Sequence, residues 1–162
     1  MTETIQAVRS ANASVVIQVA YENICRAAQS ALWRYLSAIL DDSTTPTNAR
    51  TKNILMKLPK DFWKTAAYPY VIVNFPATGE EHITLKNKGI DVVFDIETYF
   101  NKSEQIECVD YIRKILKDRT SDFDGLALND FLADGRPEVV VLDDGSSIYK
   151  YTLVVSFKWF GN

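Results

Sequence analysis

The sequence predicts an α+β fold: an antiparallel four-stranded sheet with a long N-terminal helix and a second helix packed on one face, in the order α–β–β–α–β–β. Three observations carry this prediction. The first 45 residues contain neither Gly nor Pro, and apolar side chains recur in them at helical spacing. Residues 90–100 alternate apolar and polar side chains with a period of two, which marks a strand with one face on a core. Asp143-Asp144-Gly145 separates two β-prone runs and is a strong hairpin turn signal. Helices gathered on one face of an antiparallel sheet are the natural way to bury these patterns together.

Residues 3–41 read as the first helix. Ile24, Ala27, Ala28, Ala31, Leu32, Tyr35, Leu36 and Ile39 form its apolar stripe. Weaker helix formers at 10–14 allow a later start capped by Ser14, which leaves residues 1–13 as an arm. Residues 42–64 then read as a basic connecting loop. Arg50, Lys52, Lys57, Lys60 and Lys64 outweigh Asp61, a local charge of +4 over residues 50–64. Connections of that length are uncommon in compact domains and are usually functional or mobile.

Residues 68–75 form a β-branched and aromatic strand that stops at Pro76. In the strand over 90–100, Ile90, Val92, Phe94, Ile96, Thr98 and Phe100 point one way. Asp91, Val93, Asp95, Glu97 and Tyr99 point the other. Asn101 and Glu104 have capping-box spacing for the next helix, with Ser103 as the rival cap. Its stripe is Cys108, Val109, Ile112, Ile115 and Leu116. Residues 120–136 read as irregular, with Leu126, Leu128, Phe131 and Leu132 on a short tucked-in turn of helix. From 120 to 147 seven acids face one base, a local charge of −6. The closing hairpin pairs 138–142 with 147–160. In its last strand Tyr149, Tyr151, Leu153, Val155, Phe157 and Trp159 share one face.

The 162 residues suit a single domain. A net charge of −3 argues against strong sequence-independent nucleic-acid binding, because counterion release needs a basic surface. Cys25 and Cys108 stand far apart and read as reduced, buried thiols. No basic leader and no apolar run near ~20 residues is seen, so the protein is expected to be soluble, without a membrane partner, and made in a cytoplasm.

Motifs for catalysis are sparse. The one histidine, His82, sits beside Glu80 and Glu81 and reads as a surface residue. No Gly-x-Ser-x-Gly elbow, phosphate-binding glycine loop or zinc spacing occurs, and no cofactor is expected. Asp122-Phe123-Asp124-Gly125 fails as a calcium loop, since Gly comes too early and position twelve is Ala133. Asp91, Asp95 and Glu97 share a strand face. A small metal-dependent enzyme could use them, but Tyr99 stands where a nuclease usually carries lysine. The plainer reading is a solvated or partner-facing surface with Lys150 and Lys158 as cross-strand partners. A nucleic-acid module built on the basic 50–64 loop is a further rival.

The order of these elements, with Lys57-Leu58-Pro59, Pro69-Tyr70-Val71-Ile72-Val73-Asn74-Phe75-Pro76, Asp91-Val92-Val93-Phe94-Asp95-Ile96, Ile112-Arg113-Lys114-Ile115-Leu116 and Tyr149-Lys150-Tyr151-Thr152-Leu153-Val154-Val155-Ser156-Phe157, resembles the tail-terminator (tail-completion) and neck proteins of tailed bacteriophages. The resemblance implies a non-enzymatic virion subunit, assembled in the host cytoplasm as a ring, usually a hexamer. Such a ring caps the tail tube, ends its polymerisation and joins the tail to the head connector. It implies the tube protein and the connector or adaptor as partners, with viral DNA passing through unbound. A head–tail adaptor or stopper is the neighbouring reading. Independently of the resemblance, the +4 and −6 segments suit ring assembly: Arg50, Lys52, Lys57, Lys60 and Lys64 are expected to meet Asp122, Asp124, Asp130 and Asp134 across a head-to-tail subunit interface. Asp91, Asp95 and Glu97 are expected to line the lumen.

Overall fold

The computed structural model describes residues 23–61, 67–75, 90–118, 125–134 and 136–159. Helix α1 occupies residues 23–40; the expected stretch before it, including the arm at 1–13, lies outside the described residues. Ala28, Ala31, Leu32, Leu36 and Leu40 are fully shielded on one stripe, with Ile24, Ala27 and Tyr35 at its margins. The helix end is closed by threonines. Thr45 Oγ1 donates to the Ile39 carbonyl at 2.5 Å, and the Thr51 amide donates to the Leu40 carbonyl at 3.0 Å. Both bonds satisfy carbonyls that the last helical turn leaves open.

The connection after α1 is packed, not a free loop, as far as Leu55. Ala49, Thr45 and Thr51 are buried, and Arg50 donates to the carbonyls of Ser43 and Thr45. Within this segment lies a strand the sequence pattern does not announce, β1 (Ile54–Leu55). It runs parallel to β2 (Tyr70–Val73), pairing Ile54 with Val71 and Leu55 with Ile72. Helix α1 holds this corner through two polar side chains. Gln29 Nε2 donates to the Val73 carbonyl at 2.8 Å, and Trp33 Nε1 donates to the Ile54 carbonyl at 2.6 Å.

Strand β3 (Ile90–Phe100) is the predicted alternating strand. A 3-10 turn (Ser103–Ile106) leads into α2 (Glu107–Lys117), whose buried residues are Cys108, Val109, Ile112 and Leu116. The expected pair of Asn101 with Glu104 is replaced by Gln105. Its Oε1 accepts the amides of Asn101 and Lys102, while its Nε2 reaches the Tyr68 carbonyl at 3.1 Å. Glutamine wins because it accepts and donates at once, tying the turn to the start of β2.

Residues 126–134 are not helical. They form strand β4 (Leu126–Asp134), followed by β5 (Glu138–Val141) and β6 (Ser147–Trp159). Register shifts between Leu128 and Asp130, and again between Phe131 and Ala133, break the period of two. That irregularity hides the strand from a pattern search. The β5–β6 turn closes with Gly145 at φ 83°, its amide donating to the Leu142 carbonyl at 2.9 Å. This conformation disfavours a side chain, which is why Asp-Asp-Gly turns well here.

The sheet therefore has six strands instead of four, in the order β1-β2-β3-β6-β4, with β5 beside β4 on the same edge of β6. Every pair is antiparallel except β1 with β2. Both helices lie on one face, over Val71, Val73, Val92, Phe94, Ile96, Leu153, Val155 and Phe157. Phe94 and Phe157 meet edge to face at 5.8 Å in the middle of this core. Tyr35 links the helices by donating to the Ile115 carbonyl at 3.0 Å. A smaller cluster of Tyr70, Ile72, Tyr99 and Ile148 covers part of the opposite face, with Leu58 packed on it.

Two substitutions test this account in urea denaturation. Phe94→Ala opens a cavity at the sheet centre and is expected to cost about 3–5 kcal/mol. Gln29→Ala strands the buried Val73 carbonyl and is expected to cost about 1–3 kcal/mol. A smaller loss at Gln29 would mean that water replaces the amide.

Candidate functional site

The residues expected to act divide among two sheet edges and one sheet face. Along the β1 edge, Lys52, Lys57 and Lys60 are exposed. Arg50 is exposed too, but its guanidinium is spent on the turn at 43–45. Lys64 lies outside the described residues. Two apolar side chains accompany the bases: Met56, just after β1, and Phe75, two residues after β2, are each more than 40% exposed. Gln29 binds the carbonyls of both Met56 and Val73, so the ends of β1 and β2 form one corner.

The far edge is formed by β4 and β5. Asp122 and Asp124 lie outside the described residues. Asp130 is exposed, and its Oδ1 accepts the Phe131 amide at 2.8 Å, where the ladder is irregular. Asp134 stands in β4 opposite Leu153. Further acids follow: Glu138 on β5, and Asp143 and Asp144 at the hairpin tip, all exposed. Ser146 donates to Asp144 through its hydroxyl and its amide, which holds that carboxyl below the usual carboxylate range. At ~4.8 Å per strand, the β1 and β4–β5 edges are roughly 19 Å apart.

Sequence reasoning missed what lies among these acids. Leu132, Val139, Val141 and Tyr149 are exposed, Val139 by 64% and Val141 by 70%. Strand register explains the grouping. Val139 is opposite Tyr149 on β6, and Tyr149 is opposite Phe100 on β3, so the three share the helix-bearing face. Tyr149 stacks on Phe100 at 5.4 Å. An open groove of about 260 Å³ runs beside them, lined by Phe100, Ser103, Ile106, Pro137 and Tyr149. The signal was the Val139-Val140-Val141 run, which alternation alone would place half in a core. Among the described residues no helix extends over β5, so its core-side parity meets water.

The face away from the helices carries Asp91, Asp95 and Glu97. The structure brings lysines among them. Lys158 is the register partner of Asp91, and Lys150 Nζ lies 3.3 Å from Glu97 Oε1. Glu97 Oε2 also accepts the Tyr99 hydroxyl at 2.9 Å. Burial, then this hydrogen bond and the Glu97 charge, push the Tyr99 phenol well above its ordinary range. Asp95 alone of the three acids is exposed; Asp91 Oδ1 is shielded, with no hydrogen-bond partner among the described residues. The stripe is thus a mixed-charge surface, with three acids against two bases.

His82 lies outside the described residues. Among the described residues no group of three His, Cys, Asp or Glu is placed to hold a metal ion, and no helix is long and apolar enough to cross a membrane. Cys25 and Cys108 are buried and not disulfide-bonded, and burial pushes the Cys108 thiol up to about 12. No family model, curated protein or solved structure matches this chain.

Thiol chemistry checks the burial directly. Thiolate is the reactive form, so a disulfide reagent at about pH 8 is expected to titrate no thiol in the native protein. Both are expected to react once the chain is unfolded.

Proposed function

We propose that this chain is a ring-forming structural subunit of a tailed bacterial virus, a tail terminator that caps the tail tube and joins it to the head connector. The reading begins from the resemblance of its strand and helix pattern to that family. One structural observation supports it above the others. The exposed large apolar side chains of the described residues fall into two groups on opposite edges of one sheet. Bases accompany the first group and acids the second.

That polarity suits head-to-tail association. A heterologous contact joins two different patches, so each copy keeps one free patch until rotation closes a ring. Apolar side chains supply the attraction, and opposite charges set register and speed encounter. Exposed ion pairs contribute only ~0.2–1 kcal/mol each, and salt screens them over about 10 Å at 0.1 M. The mixed stripe of Asp91, Asp95 and Glu97 is then the face offered to the lumen, with Asp95 the acid best exposed to passing DNA.

Native mass spectrometry of the protein, alone and with tail tubes, tests the reading. A closed oligomer of one mass, six subunits by analogy, is expected to sit on tube ends. Binding to portal rings instead would make it an adaptor or stopper, and a solitary monomer on every component would end the proposal. Charge reversal of Lys57 and Lys60 to Glu is expected to weaken assembly several-fold at low salt and less at high salt. Replacing Asp91, Asp95 and Glu97 with Lys is expected to leave the oligomer intact but make it retain DNA in a mobility-shift measurement. Unchanged retention would remove that face from the lumen.

A further inference from the structure

We propose that the open edge of β5 pairs with β5 of a second copy of this chain, antiparallel and with Val140 opposite Val140, to form one sheet across two chains. The inference does not rest on the ring reading. It takes only β5 from the far edge and leaves β4, with Asp130 and Leu132, to meet the basic edge.

The open edge follows from the hairpin. The Leu142 amide donates to the Ser146 carbonyl at 2.8 Å, and bonded pairs alternate back along the two strands from there. Val140 with Ile148 and Glu138 with Lys150 are therefore the pairs that exchange bonds. Val139 and Val141 turn their N–H and C=O groups away from β6, to a side where no strand among the described residues pairs with them. Their side chains are exposed by 64% and 70% on the helix-bearing face. An apolar, regular edge of this kind is a template for a further strand.

The occupant follows from what the other outer strands lack. In β1 the Val71 amide takes the Asn53 carbonyl, so Ile54 is the residue whose backbone turns outward, and its carbonyl already accepts Trp33 Nε1 at 2.6 Å. Strand β4 carries two register shifts, which break the even spacing a partner strand needs. Of the three outer strands, β5 keeps an even, open edge, and two copies of it fit each other. Centred on Val140, Val139 of each chain exchanges both bonds with Val141 of the other. Four valines then join on the helix-bearing face, Val140 meets Val140 on the opposite face, and Arg136 comes opposite Asp144. Centring on Val139 would pair Val141 with Pro137, which has no amide to return. Centring on Val141 would set Glu138 against Asp144. The contact uses the same patch on both copies and closes on a pair.

Cysteine cross-linking tests the register, read beside native mass. Cys25 and Cys108 are buried, so new thiols report alone. Under mild air oxidation Val140→Cys is expected to give a linked dimer. Val139→Cys and Val141→Cys are each expected to stay unlinked alone and to link when mixed. Val141→Lys, at an exposed position, is expected to raise the dimer dissociation constant at least tenfold with an unchanged circular dichroism spectrum. Linking by Val139→Cys or Val141→Cys alone, with Val140→Cys unlinked, would overturn the proposed register. Three unlinked variants, or a monomer at all concentrations, would overturn the pairing itself. A linked Val140→Cys dimer in a protein that never binds tail tubes would uphold the pairing and end the ring reading alone.

Discussion

The long antiparallel ladder between β3 and β6 is the constraint on which the remainder of this structure depends. It runs without a register break from Ile90 opposite Trp159 to Phe100 opposite Tyr149. An antiparallel ladder fixes which side chains share a face, and a slip of one residue would turn every core residue into water. Phe94, Ile96, Leu153, Val155 and Phe157 are buried because the two strands hold parity together. Strand β2 adds to one side of this pair, and β4 and β5 divide the other. The helices can settle only on the face so defined.

Helical cover of that face is uneven, and the unevenness creates the candidate site. Around α2 the sheet is sealed by apolar contacts and by cations laid on rings. Arg113 lies over Tyr151 at 5.5 Å and binds its hydroxyl, and Lys117 lies over Phe131 at 5.3 Å. Beyond the 3-10 turn nothing among the described residues extends over β5. Its valines keep the parity of a core strand without a core above them. The same sheet thus presents an unfinished hydrophobic surface at one edge and a basic, Met-bearing segment at the other.

Counting charges along the chain is a poor guide to what those charges do. Several of the short polar side chains are bound to nearby backbone. Asp42 accepts from Thr44, Asp130 from Phe131 and Asp144 from Ser146, while Arg50 donates to carbonyls of Ser43 and Thr45. Such local bonds shape turns and ladder irregularities. The residues left to face a partner are fewer: Lys52, Lys57 and Lys60 on one edge, and Glu138 and Asp143 on the other. Glu97 shows the same economy on the sheet face, shared between Lys150 and Tyr99.

Local periodicity was enough to determine the α+β class, both helical stripes, the parity of β3 and β6 and the Asp-Asp-Gly turn. Each of these is written in spacings of two, three or four residues, and neighbours along the chain decide them. The same reading missed β1, because two residues carry no period and their pairing depends on α1 holding them against β2 through Gln29 and Trp33. It mistook β4 for a helical turn, because irregular register erased the alternation that pairing with β6 alone reveals. The site shows the same division. Bases at 50–64 and acids at 120–147 were legible as composition, but their places on opposite edges follow from a strand order that no local pattern encodes. Whether Val139 and Val141 are core or surface was likewise left to tertiary structure, since parity sets the face a side chain takes and only the reach of a helix from elsewhere in the chain sets what covers it.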